Sequence, residues 1–180
     1  MRSRTLPDRD FQIRTPRLVL RPTRPSDAPR FAQIQSNWNV TQMLRLAPWP
    51  VVEAEMAAWV DTHASEWAAG TAYRFAVERD GQVIGCCDVD DIEGDKGEIG
   101  YWYDEAHWGA GVASEAARAL VHLALSDLGL ARLEAGHAAD NPASGKVLEK
   151  VGFRFQADIT RYSRPHDRDM PYRTYALLRP

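Results

Sequence analysis

Apolar and polar positions alternate along this chain with a period that changes several times, and each change predicts an element. Residues 17–21 (Arg-Leu-Val-Leu-Arg) alternate and include a β-branched side chain, and Pro22 restricts the strand's continuation, so a first strand is expected there. Ser26-Asp27 can cap a helix that carries Phe31, Ile34 and Gln35, with Asp27 favourable near its positive end. Pro48 and Pro50 interrupt the chain before a longer helix over 52–69. Its positions Met56, Trp59, Val60, His63 and Trp67 recur at helical spacing, and Gly70 ends it.

Residues 73–78 and 82–89 read as a hairpin joined by Asp80-Gly81, a pair suited to a tight turn. A second turn at 94–97 leads into a strand over 98–103 (Glu-Ile-Gly-Tyr-Trp-Tyr). Residues 111–128 form the clearest helix. Ala113, Ala116, Ala117, Leu120, Val121, Ala124, Leu125 and Leu128 share one face, and Gly129 supplies the stop. A short strand over 132–137 comes next. Asn141-Pro142 then opens a helix that runs to Val151 and stops at Gly152. Strands over 154–160 and 172–178 complete the chain. The expectation is one mixed α/β (α+β) domain, hairpins first, with a single strand–helix–strand crossover over 98–137. A polar N-terminal tail of residues 1–14 precedes the domain, which spans 15–180.

Composition narrows the function. At 180 residues the chain can bury a core. Its 22 basic and 25 acidic side chains give a net charge of −3, which argues against a nucleic-acid partner. No apolar run approaches the roughly 18 residues of a membrane helix, and the start lacks the apolar stretch of a secretory signal. The two cysteines, adjacent Cys86 and Cys87, point to opposite faces of any strand and cannot build a disulfide framework. A reduced, cytoplasmic protein is expected, monomeric or homodimeric and away from membranes. The histidines (63, 107, 122, 137 and 166) lack zinc-ligand spacing, so no metal is expected. The acidic run Asp88-Val89-Asp90-Asp91-Ile92-Glu93-Gly94-Asp95 has Ile92 where a calcium loop needs an oxygen ligand. It reads as a solvated hairpin, with attraction for a cationic amine as the weaker alternative. Trp38, Trp49, Trp59 and Trp67 read mostly as core.

The segment that points to chemistry is Trp108-Gly109-Ala110-Gly111-Val112-Ala113-Ser114-Glu115-Ala116, set between a strand and the long helix. Glycines let backbone approach a ligand, and the first N–H groups of a helix point outward together, a geometry suited to a phosphate or pyrophosphate. A plain tight turn is the competing account. A P-loop is excluded because no Gly-Lys-Ser/Thr is present after the glycines. A dinucleotide fold is closer, with Glu134 near the place of a ribose-binding acid. However, Ser114 stands in place of the third glycine, and too little chain remains for a doubly wound sheet. The second segment is Asn141-Pro142-Ala143-Ser144 with Leu148-Glu149-Lys150-Val151-Gly152-Phe153. On its own it is explained by a helix cap, a helix stop and an apolar anchor.

Taken together and in order, these segments resemble the GCN5-related N-acetyltransferase (GNAT) superfamily, and within it the RimJ/RimL-like branch of ribosomal-protein-alanine N-acetyltransferases. Thr15-Pro16-Arg17-Leu18-Val19-Leu20-Arg21 looks like that branch's opening strand, and Gly97-Glu98-Ile99-Gly100-Tyr101-Trp102 like its central strand. His107 to Ala116 resembles its pyrophosphate loop, and Asn141-Pro142-Ala143-Ser144 with Glu149-Lys150-Val151-Gly152-Phe153 its later motif. One departure is Ala106, where the superfamily usually has Gln or Arg.

The resemblance implies acetyl-CoA as co-substrate, bound where strands 98–103 and 132–137 splay apart. The backbone of Trp102 and Tyr103 would pair with the pantetheine arm. Trp108 and the N–H groups of Gly109, Ala110, Gly111, Val112 and Ala113 would hold the pyrophosphate, and Asn141 would touch the cofactor while capping its helix. Glu98 is the implied base and Ser144 the implied proton donor to the leaving thiolate, with Tyr101 and Tyr103 in reserve. An amine attacks a thioester only when neutral, so a base with a suitably raised pKa is required. The implied reaction is direct acetyl transfer in a ternary complex to a primary amine, of a protein N-terminus or a small molecule. Two alternatives stand beside it: a non-catalytic acyl-CoA-binding protein on the same fold, and a dinucleotide-binding oxidoreductase.

Overall fold

A computed structural model describes the protein over residues 7–179. Its elements in chain order are β1 (Ile13–Arg14), β2 (Val19–Pro22), α1 (Ala28–Gln35), α2 (Trp38–Thr41), α3 (Glu53–Ala69), β3 (Tyr73–Arg79), β4 (Gln82–Glu93) and β5 (Lys96–Tyr103), then α4 (Val112–His122), β6 (Arg132–Ala138), α5 (Pro142–Lys150), β7 (Arg154–Ser163) and β8 (Arg168–Leu178). The strands form one sheet in the order β1-β2-β3-β4-β5-β6-β8-β7. Only β5 and β6 pair in parallel; the other neighbours are antiparallel. The parallel pair is the one joined through α4, since a parallel neighbour requires a crossover.

Side chains alternate across each strand and divide the interior into two layers. On one face Phe75, Val77, Cys87, Ile99, Tyr103, Leu133 and Tyr175 pack with Val112, Ala116 and Leu120 of α4 and Leu148 of α5. On the other, Ala76 and Cys86 meet Ala28, Phe31 and Ala32 of α1 and Met56 and Val60 of α3. Cys86 and Cys87 accordingly lie on opposite faces, both buried.

Three local expectations change. The long helix predicted over 111–128 is α-helical only to His122; Leu123–Asp127 widens into a π turn, in which Leu128 N–H reaches back to the Leu123 carbonyl at 2.9 Å. The short helix α2 was hidden between Gln35 and Pro48, where four residues carry too little periodicity to register. The tail expected over 1–14 is not loose where it is described. Ile13 and Arg14 pair with Leu20 and Val19, the Pro7 carbonyl accepts the Trp67 indole N–H at 2.6 Å, and Phe11 packs against the core. Residues 1–6 lie outside the described residues. Among the described residues no helix is long and apolar enough to cross a membrane.

Candidate active site

The parallel pairing of β5 with β6 stops early. Lys96, Gly97 and Glu98 oppose Arg132, Leu133 and Glu134, and the register goes no further. The strands therefore part at Glu98, and β5 runs on alone along that side for five residues to Tyr103, about 17 Å at strand rise. Asp104 N–H donates to the Ile84 carbonyl at 2.8 Å. Antiparallel pairing alternates, so the backbone of Trp102 turns to Cys86 of β4. The backbone groups of Ile99, Tyr101 and Tyr103 turn into the fork. Of the two residues expected to offer their backbone to the cofactor, Tyr103 faces the gap. Trp102 contributes its indole to the opposite layer, edge-on to Phe31 at 5.0 Å.

At the open end of the fork the chain turns into α4. Gly109 and Gly111 take φ values of 72° and 77°, left-handed conformations that fold the backbone into an N–H-lined concavity. The first N–H groups of α4, at residues 112–114, have no carbonyl within the helix to receive them. A latch from the chain's start sets the orientation of this loop. Arg17 Nη1 donates to the Ala110 carbonyl at 2.7 Å and Arg17 Nε to Glu115 at 2.7 Å, while Thr15 Oγ1 donates to the same carboxylate at 2.6 Å. Burial alone would raise the Glu115 carboxyl; these donors hold it below its ordinary range. The bond to Arg17 engages a loop carbonyl and leaves the loop amides free for a ligand. The Trp108 indole closes the corner, donating to the Tyr103 carbonyl at 3.0 Å.

Ser144 stands on the α4–α5 face. Asn141 Oδ1 accepts Ser144 N–H at 3.3 Å as a helix cap, and Ser144 Oγ lies 2.9 Å from the Tyr101 hydroxyl. Burial pushes the Tyr101 phenol up to about 12, so it stays protonated at neutral pH. Gly145 lets α5 come this close to the sheet: a Cβ there would sit 2.8 Å from His137 Nε2 and 3.0 Å from the Tyr175 hydroxyl.

Glu98, two and four residues before Gly100 and Trp102, points to the opposite, α1–α3 face. Burial raises its carboxyl above the ordinary range, with Asp90 adding to the rise and Arg161 and Arg45 opposing it. Glu98 and Ser144 are thus not in contact; the sheet separates them, and the fork connects them.

The acidic run is not simply solvated. Asp88 is buried, and Arg74 Nη1 reaches Asp88 at 2.6 Å and Asp90 at 2.9 Å, with Arg74 Nε on Glu66 at 2.9 Å. Burial and the neighbouring Asp90 push the Asp88 carboxyl up to about 7 against the pull of Arg74. Because this pKa lies above its unfolded value, the folded state binds the extra proton, and the associated stability is lost as pH rises from about 4 to 7. Asp88→Asn is expected to flatten the fall in Tm over that window; wild-type and variant melts of the same slope between pH 4.5 and 7.5 would refute the assignment.

On the Glu98 face, beyond the fork, a pocket lies between the loop after α2 and the β7–β8 hairpin, lined by Met43, Leu44, Arg45, Ala138, Arg161 and Tyr172. His166, which also lines it, belongs to an aromatic cluster beside the pocket. Trp38 packs on Trp49 at 4.9 Å and on His166 at 5.2 Å, and the His166 ring nitrogen Nε2 lies 3.1 Å from the Gln42 carbonyl. Of the four tryptophans read as core, only Trp67 is buried; Trp49 is 42% exposed. The Arg17 latch, the Arg74 cluster and this pocket were not found from sequence.

Comparison with known proteins agrees with this geometry. Residues 17–154 match the family model for the acetyltransferase (GNAT) domain. An uncharacterized N-acetyltransferase, p20, of Bacillus licheniformis is 31% identical over 171 residues, covering 92% of this chain and 94% of p20. The ribosomal-protein-serine acetyltransferase of Escherichia coli is 36% identical over 86 residues, 47% of this chain and 48% of that protein. Among solved structures, RimL, a ribosomal L7/L12 α-N-protein acetyltransferase in complex with coenzyme A, superposes with a TM-score of 0.82 at 22% identity, covering 93% of this chain and 98% of that one.

Proposed function

The chain belongs to the GNAT acetyltransferase family and is an acetyl-CoA-dependent N-acetyltransferase, and from that premise we propose that its acceptor is the α-amine of a protein N-terminus, attacked directly in a ternary complex. The observation that carries the reading is the fork at Glu98: β5 and β6 part there, with the Glu98 carboxyl on one face of the sheet and Ser144, hydrogen-bonded to Tyr101, on the other. A shallow pocket on the Glu98 face, between the loop after α2 and the β7–β8 hairpin, offers the acceptor a surface to contact. The E. coli relative named for ribosomal-protein serine supports the same acceptor class.

Acetyl-CoA supplies an activated thioester. The outward amides of residues 109–114 and the positive end of α4 suit its pyrophosphate. Asn141, whose side-chain oxygen is taken by Ser144 N–H, keeps its amide N–H groups for the cofactor. The inner edge of β5 offers backbone N–H and C=O groups to the amide-bearing arm, and an N–H from the same edge meets the oxyanion as it forms. Glu98, its carboxyl raised toward neutrality, takes a proton from the incoming ammonium on the pocket side. The N–C bond forms, the C–S bond breaks and the second proton of the attacking nitrogen passes to water; the thiolate takes a proton from Ser144, which regains one from water, its hydroxyl held by that of Tyr101.

The test has two arms. Acetyl-CoA should raise Tm and NAD should not, because only a ligand that prefers the folded state stabilises it. Among peptides, one with a free N-terminus should release CoA and gain one acetyl group by mass spectrometry, whereas its N-terminally blocked, lysine-bearing counterpart should not. Equal acetylation of both would refute the α-amine reading.

A further inference from the structure

Three arginines drawn toward the interior are neutralised by carboxylates: Arg21 by Asp27 and Glu78, Arg30 by Asp104, and Arg74 by Glu66, Asp88 and Asp90. Arg45 and Arg161 are not. Both line the pocket, Arg45 half-buried and Arg161 exposed, and among the described residues neither has an ion-pair partner. They share that pocket with one ring: the Arg161 guanidinium lies 5.6 Å from the centre of Tyr172, and Arg45 lines the same pocket wall as Tyr172. Tyr172 in turn covers Gly136 of β6, where a Cβ would collide with its ring, so the two cations stand over the free run of β6 beyond the fork. Glu98 stands against Glu134, two residues before Gly136 on the same face of β6, so the ring and its cations lie on the side of the fork that this carboxylate faces.

A pocket built only to admit an ammonium gains nothing from two cations at its wall, since they repel the incoming charge. They become favourable when the same molecule carries an anion. Building on the α-amine acceptor, we propose that the pocket selects an acceptor bearing a carboxylate close to its amine, held by Arg45 and Arg161 while Glu98 receives the ammonium. Gly136 is two residues, about 7 Å at strand rise, beyond the partner of Glu98, and consecutive Cα atoms are about 3.8 Å apart, so an anion at that range from the amine sits on its own residue or on the next two. The carboxylate then comes from an acidic side chain at the second or third residue of a peptide, or from the α-carboxylate of a free amino acid.

The experiment compares kcat/KM across four acceptors with one N-terminal residue: a Ser-Asp-Asp peptide, its Ser-Asn-Asn counterpart, free serine and serinamide. Each is measured in the wild type and in the Arg45→Gln/Arg161→Gln double variant, at a pH where Glu98 is ionised. Charge-assisted bonds to a carboxylate are strong enough that the acid-to-neutral ratio should be about tenfold or more in one pair. In the double variant that ratio should fall toward one, a change that loss of fold would not produce because each enzyme is its own reference. A ratio carried by the peptides places the anion on a side chain; one carried by serine over serinamide places it on the α-carboxylate and withdraws the protein N-terminus as acceptor. Ratios near one in the wild type, with the peptides still acetylated, overturn the anion and leave the α-amine reading standing, as does a ratio the double variant retains. A panel left unacetylated while acetyl-CoA binds overturns both.

Discussion

Glu98→Gln is expected to lower kcat by about 10²–10⁴ while acetyl-CoA still binds, because the amide keeps the size of the side chain but cannot accept a proton. The position makes the expectation sharp. Glu98 is the last residue of β5 paired with β6, so it stands where the strands part, at the inner end of the fork whose outer end carries the glycine loop. Its carboxyl is raised by burial and by Asp90. The wild-type rate should therefore climb with pH along a limb centred above the usual carboxylate value of about 4.3, and that limb should be missing from the variant. Ser144→Ala should be milder, since the Tyr101 hydroxyl, 2.9 Å from Ser144 Oγ, remains as a donor and water can protonate a thiolate. Circular dichroism checks that both variants fold. Wild-type turnover by Glu98→Gln across pH 6–9 would reduce Glu98 to a strand residue.

Gly111→Asp is the second large effect. Its φ of 77° already disfavours a side chain, and the new Cβ would lie 3.3 Å from Arg17 Nη2. The added carboxylate would pair with that guanidinium, cancelling a positive charge beside the loop and placing a negative one where an anion must sit against backbone amides. Acetyl-CoA affinity should drop by about 100-fold or more, which titration calorimetry on the folded variant would read. Undiminished affinity would mean that the loop is only a turn, and that the cofactor is held elsewhere.

The strands, the turns and the glycine loop were legible because each rests on a local rule. Asp80-Gly81, for instance, does form the tight turn, with both residues at positive φ. The Arg74 cluster was not, for a reason that lies in the register. That turn opposes Arg79 to Gln82, and an unbroken ladder from there would set Arg74 against Cys87. A bulge between Val77 and Glu78 shifts the pairing by one residue, so Arg74 meets Asp88 instead. Nothing in the local sequence announces that extra residue. The latch from Arg17 to Glu115 and the pocket between residues 42–45 and the β7–β8 hairpin join segments remote in sequence, which pattern alone does not bring together. Glu98 and Ser144 were reached only through resemblance to a family. Their division between the two faces of the sheet is visible in the alternation of β5, once the side of the sheet covered by each helix is known.

The parting of β5 from β6 also has a consequence for assembly. A sheet split along its middle has an internal edge as well as its outer ones, and an unpaired edge is a template for any extended chain that can reach it. Here that edge is covered by α4 and α5 on one face of the sheet, and its far end is closed where pairing resumes at Glu98. A strand of another molecule brings side chains to both faces and meets the helices that cover the sheet, whereas a thin, amide-bearing chain without side branches presents only its backbone groups. The opening thus favours an unbranched amide chain over a strand as the partner for the free backbone groups of the central strand.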